Sequence, residues 1–204
     1  VELDGPALLL LKRRAKGQIR QRMRALRNAI PEPARKERSR RIVERLLELP
    51  ELERARTAGL YAPLLPRGEV DVSPLHAALR ARGASVFYPF MGRPDADAGF
   101  AEVKEPEELA PRGHGFAEPP DGARAARPGE LDVLVVPALA VSELGYRLGY
   151  GSGFYDAVLP RFCPPACSIV VAYDFQLLAE LPTEEQDVPC GIVVTDARVL
   201  RPAI

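Results

Sequence analysis

Val133-Leu-Val-Val136 is apolar at four successive positions, and Ile169-Val-Val-Ala172 repeats the pattern further along the chain. A strand with one face in water alternates, whereas a strand apolar on both faces belongs at the centre of a sheet covered on both sides. Residues 131–136 and 168–173 therefore read as central strands. Working outward, short apolar runs at 57–61, 85–90, 100–103 and 192–195 add strands, and 73–82 and the residues after 156 read as helices. Alternation of this kind argues for an α/β fold: a mixed, mainly parallel central sheet flanked by helices in three α/β/α layers. Ahead of it stands an N-terminal helical pair. The first helix spans 12–30 and is stopped by Pro31 and Pro33; the second runs over 34–49, with Ile42, Val43, Leu46, Leu47 and Leu49 on its buried face. With no clean linker, residues 12–204 are expected to form a single domain, and residues 1–11 an extension without fixed structure.

The 204 residues carry 28 Lys and Arg against 28 Asp and Glu. The sum conceals a division: residues 1–60 hold sixteen basic and eight acidic groups, residues 61–204 twelve and twenty. A basic N-terminal region joined to an acidic remainder points to an anionic ligand held between unlike parts. Three cysteines without framework spacing indicate a reducing compartment, and no run approaches the roughly 20 apolar residues of a membrane span. The expected location is the cytoplasm. The single Asn, four Gln and many prolines fit a heat-adapted source, although a GC-rich genome gives the same preference for Arg. His76 and His114 lack metal-ligand spacing, and Cys163, Cys167 and Cys190 form no four-ligand pattern.

Within the first helix, Ile19, Met23, Leu26 and Ile30 fall in one arc of about 60°. Lys16, Arg27, Arg20, Arg13 and Arg24 fill the adjacent arc. Residues 12–27 contain eight basic groups and no acid, so no i,i+4 pair relieves the repulsion inside the helix. Solvent can do so, and so can an external anion.

Downstream of the strand at 131–136 comes Gly145-Tyr-Arg-Leu-Gly-Tyr-Gly-Ser-Gly-Phe-Tyr-Asp156. Glycines at 145, 149, 151 and 153 weaken any helix or strand and free the backbone. Between a strand and a helix, such a turn can aim successive N–H groups at an anion, and Arg147 adds a fork suited to phosphate oxygens. The spacing is not the dinucleotide fingerprint, whose third glycine would fall at Phe154, nor is it a P-loop. Asp156 suits either a helix first turn or a Mg²⁺ site beside phosphates.

The same stretch closely resembles the signature of the 5-formyltetrahydrofolate cyclo-ligase family, also called 5,10-methenyltetrahydrofolate synthetases. Lys16-Gly-Gln-Ile-Arg20, Tyr61 with Glu69-Val-Asp71, Gly115-Phe-Ala-Glu-Pro119, Asp174-Phe-Gln176 and Glu184-Glu-Gln-Asp187 resemble that family's other segments in order. The resemblance covers about 14 to 196. It implies ATP- and Mg²⁺-dependent closure of 5-formyltetrahydrofolate to 5,10-methenyltetrahydrofolate through a phosphorylated formyl group. By that likeness Lys16, Gly17, Gln18, Ile19 and Arg20 contact ATP, as do Arg147, Leu148, Gly149, Tyr150, Gly151, Ser152, Gly153, Phe154 and Tyr155. Arg147, Lys16 and Tyr155 are the expected catalytic residues, and Asp156 and Asp187 the magnesium carboxylates. Glu69 is expected to bind the pterin, Tyr61 and Leu64 to add apolar wall, and Tyr150 to Phe154 to line the folate side. Gln186 stands where many members have His, Ser152 interrupts the usual glycine run, and Phe154 replaces a common Tyr.

The expected partners are the two small molecules, 5-formyltetrahydrofolate and ATP, with the enzyme a monomer and neither nucleic acid nor membrane involved. Two rival readings have distinct marks. A nucleic-acid module using the Arg-rich helix would carry interleaved aromatics, which residues 12–30 lack. An enzyme of sugar-phosphate isomerase or CoA-transferase type would not depend on ATP.

Overall fold

The computed structural model describes residues 5–93, 96–113 and 115–203. His114 and residues 1–4 of the expected extension lie outside these. Helix α1 covers Gly5–Ala29, so residues 5–11 continue the helix expected from residue 12. Helix α2 follows as Glu32–Leu47, with Pro33 in its first turn where no donor is lost, and α3 is Pro50–Arg54. Then come α4 (Ser73–Ala81) and α5 (Phe154–Phe162).

The main sheet has seven strands: β1 Thr57–Gly59, β2 Ser85–Arg93, β3 Ala96–Glu102, β4 Val133–Pro137, β5 Cys167–Val171, β6 Ile192–Val194 and β7 Val199–Leu200. Their order is β7-β6-β5-β4-β1-β2-β3. The five inner strands run parallel, with β4 and β5 aligned at Val135 and Ile169, while β3 and β7 are antiparallel edges. The two runs apolar on both faces are thus neighbours at the middle. Val133, Val135, Ile169 and Val171 pack with Ile42, Leu46, Leu75 and Leu79 from α2 and α4. Leu134, Val136 and Val170 face the other way, onto Val158, Leu159 and Phe162 of α5. That alternation of period 2 is what separates the two helical layers.

A second, three-stranded sheet of Ala140–Ser142, Arg147–Leu148 and Leu177–Leu178 has no counterpart in the sequence pattern. Its strands are two or three residues long, too short to show a period. It carries α1: Met23 is buried against Ala140 and Leu148, with Ile19, Leu178 and Leu181 around them. Leu26, expected on the buried stripe, is 40% exposed, because this small platform reaches only part of the helix. Among the described residues no helix is long and apolar enough to cross a membrane.

Candidate active site

Four segments supply the polar lining of a cleft of about 710 Å³. Helix α1 supplies Arg13, Lys16 and Arg20; the segment after β1 supplies Tyr61, Leu64 and Glu69; residues 147–157 form the floor; Glu184, Gln186 and Asp187 close one side. The floor begins at a fixed point. Gly145 has φ +82°, and a Cβ there would lie 2.2 Å from the Cys190 carbonyl oxygen, while the Cys190 N–H donates to the Gly145 carbonyl at 2.9 Å. The run ends at Gly153, the N-cap of α5, with φ +71°. Both positions exclude a side chain for stated reasons, conformation at each and space at the first.

Arg147 is 9% exposed and grips two elements. Its Nη1 donates to the Val188 carbonyl at 2.7 Å and its Nη2 to Asp156 Oδ1 at 2.9 Å. Its guanidinium also lies 5.7 Å from the centre of the Tyr155 ring. Burial, then the charge of Glu69, pushes the Tyr155 phenol well above its ordinary range, so it stays protonated. Opposite, Lys16 Nζ donates to Asp187 Oδ2 at 2.6 Å and to Glu184 Oε1 at 2.8 Å. Burial opposes the Lys16 charge, but the two carboxylates outweigh it and hold its pKa above the ordinary value. Arg20 Nε donates to the Gly149 carbonyl at 2.9 Å, joining α1 to the glycine run.

Not every residue of Lys16-Gly-Gln-Ile-Arg20 reaches the cleft. Gly17 and Gln18 are exposed and outside its lining, and Ile19 packs into the small cluster beneath α1. All nine residues from Arg147 to Tyr155 do line it, as do Tyr61, Leu64 and Glu69. The Tyr61 hydroxyl is already committed to the Val70 carbonyl at 2.7 Å, so this residue offers its ring. Glu69 is buried, and its Oε2 accepts the Leu64 N–H at 2.8 Å.

Asp156 and Asp187 both line the cleft, and their bonds leave room for a cation. Those to Asp156 fall on Oδ1 and those to Asp187 on Oδ2. The second oxygen of each has no hydrogen bond among the described residues. No cluster of three or more acidic, His or Cys side chains forms a cage among them. Two carboxylates without a cage fit magnesium, which keeps waters and shares its remaining positions with substrate phosphates.

Three cleft features escaped the sequence reading. Glu184 pairs with Lys16, a partnership at a separation of 168 residues that no local pattern could reveal. Met91 and Phe116 complete the apolar wall. Behind it, the buried Glu118 accepts the Met91 N–H at 3.0 Å, which gives the Gly-x-x-Glu-Pro segment a structural task.

A sequence profile described as the 5-formyltetrahydrofolate cyclo-ligase family matches residues 12–196. A 5-formyltetrahydrofolate cyclo-ligase of Escherichia coli strain K12 is 34% identical over 184 residues, covering 89% of this chain and 98% of that protein. One from Mycolicibacterium smegmatis is 35% identical over 191 residues, covering 91% and 95%. The NMR structure of Aquifex aeolicus 5,10-methenyltetrahydrofolate synthetase superposes with a TM-score of 0.79 at 29% identity, covering 93% of each chain.

Proposed function

The chain belongs to the 5-formyltetrahydrofolate cyclo-ligase family of enzymes, and from that premise we propose that its cleft closes 5-formyltetrahydrofolate to 5,10-methenyltetrahydrofolate with ATP as phosphoryl donor. The observation that carries this reading is a single cleft lined both by Lys16, Arg20 and Arg147 and by the buried Glu69 with Tyr61 and Leu64. The first group suits phosphates, the second a flat heterocycle whose edge presents N–H donors to a carboxylate.

The chemical need is a leaving group. A formamide oxygen departs poorly, so the formyl oxygen attacks the γ-phosphorus, the bond from phosphorus to the bridging oxygen breaks, and ADP leaves. N10 then adds to the formyl carbon and gives up its proton to the departing phosphate, the C–O bond breaks, and hydrogen phosphate leaves with that oxygen. Such a transfer depends on positioning and positive charge more than on a protein nucleophile. Arg147, held by Val188 and Asp156, is fixed where charge accumulates on the moving phosphoryl group. Lys16 and Arg20 hold the nucleotide phosphates, Lys16 exchanging its Glu184 and Asp187 contacts for phosphate oxygens. The N–H groups of the glycine run and the first turn of α5 add donors without charge. Tyr155, protonated, is a hydroxyl donor beside Arg147. Asp156 and Asp187 would hold Mg²⁺, which would neutralise phosphate charge. Tyr61, Leu64 and the Tyr150 to Phe154 segment wall the folate and exclude water.

In this reading residues 12–204 act as a single domain and as a monomer. Cys163, Cys167 and Cys190 are free thiols, which supports a reducing, cytoplasmic setting. The deciding experiment mixes the protein with 5-formyltetrahydrofolate, Mg²⁺ and ATP and follows the methenyl chromophore. Absorbance should rise only with all components present; a folded preparation that gives no signal refutes the proposal.

A further inference from the structure

Arg27 is 1% exposed, the most deeply buried cation among the described residues. On the helical wheel it belongs with Lys16, Arg20, Arg13 and Arg24, yet it does not line the cleft. It turns instead toward the turn that carries Glu69. Its Nε donates to the Gly68 carbonyl at 2.9 Å, and its Nη2 is buried with no hydrogen-bond partner. A guanidinium is costly to bury unless anions and hydrogen bonds answer it. The groups around Arg27 indicate what does. Its guanidinium lies 6.0 Å from the centre of the Tyr150 ring, and the Tyr150 hydroxyl is buried, with neither Glu69 nor Arg27 in good bonding geometry to it. Both act on that hydroxyl: burial, then Glu69, pushes the phenol up to about 12, and Arg27 pulls the other way. Arg27, Glu69 and Tyr150 thus form one buried polar cluster, two members of which face the cleft.

We propose that Arg27 is a positioning residue for folate binding: it pins the Gly68–Glu69 backbone and sets a buried positive charge behind Glu69, so that this carboxylate meets the pterin as an oriented anion. The inference rests on the reading that Glu69 binds the pterin. Arg27 itself touches no substrate and acts through Glu69. The cation edge of α1 then has two tasks. Lys16 and Arg20 face the nucleotide, and Arg27, two to three turns further on, serves the other substrate.

The test is a double-mutant cycle on the full chain, with Arg27→Met, Glu69→Gln and the double variant, read as the Kd for 5-formyltetrahydrofolate and the KM for ATP. Arg27→Met should weaken folate binding about tenfold, leave the KM for ATP within about twofold, and cost less than about twofold in the Glu69→Gln background. Arg27→Lys, which keeps the charge, should recover part of the loss. Losses that simply add, or a rise in the KM for ATP, overturn the inference. An unchanged folate Kd in Glu69→Gln refutes instead the reading on which it rests. If calorimetry shows that Arg27→Met does not fold, the cycle is run with Arg27→Lys, whose smaller loss of folate affinity should likewise vanish in the Glu69→Gln background; a loss that persists there overturns the inference.

Discussion

Arg147 and Asp156 face each other across 2.9 Å at the first turn of α5, while the other arm of the same guanidinium holds the Val188 carbonyl at 2.7 Å. One side chain thereby ties the glycine run to the helix it precedes and to the segment after the acidic loop. Arg147→Ala should lower kcat/KM about 10²- to 10³-fold, the range for losing a fixed charge at a developing anion. It should also cost about 2–3 kcal/mol in urea unfolding, less than for a fully buried pair because the Asp156 side chain is 29% exposed. Arg147→Lys keeps the charge but cannot fork, so most of the activity loss should persist. Near-normal turnover in either variant removes Arg147 from the mechanism.

Glu69→Gln keeps the shape and removes the charge. An ionised acceptor of pterin N–H donors is worth about 1.5–3 kcal/mol, so folate Kd should rise about 10- to 100-fold with the KM for ATP unchanged. Titration calorimetry with each ligand separates the two, and equal weakening of both would refute the placement of Glu69 on the folate side.

Two glycines of one motif should respond oppositely to the same change. Gly145→Ala meets both a positive φ and the Cys190 carbonyl oxygen at 2.2 Å, and should cost about 3 kcal/mol or more. At Gly149 an added Cβ meets nothing within 4 Å, so Gly149→Ala should melt near the wild-type temperature. A comparable loss at both positions would show that the floor is set by something other than the contact with Cys190.

The pairing of Lys16 with Glu184 has a pH signature. Glu184 is held below its ordinary 4.5 by the hydrogen bond from Lys16, so its stabilising effect is fully present above 4.5 and lost as pH falls through the lowered value. Lys16 is held above 10.5, so its effect is fully present below 10.5 and lost as pH rises through the raised value. The Tm gap between wild type and Lys16→Met should therefore be flat between these limits and close at both ends. A gap that changes near neutrality would contradict this assignment.

Much of the fold was legible because Val133–Val136 and Ile169–Ala172 are apolar on both faces, which puts each inside the sheet; that they pair with each other is a finding of the structure. The glycine run was legible for a similar reason, since four glycines in nine residues serve neither helix nor strand. What escaped were relationships that depend on distance along the chain. Arg27 looked like Arg24 on the helical wheel, but it is buried because the Gly68 carbonyl lies beside it, 41 residues away. Leu26 looked like Met23, but the small sheet stops short of it.

Lys16 meets Asp187 across 171 residues of sequence, and the Gly145 carbonyl receives the Cys190 N–H. The cleft therefore joins segments as far as 171 residues apart in the sequence, and contacts of such separation form late because long loops must close first. During synthesis the Lys16–Asp187 side of the cleft cannot assemble until residues near 190 have left the ribosome. A proteolytic fragment lacking either the Lys16 or the Asp187 segment should then show no graded remnant of activity: the site is acquired all at once.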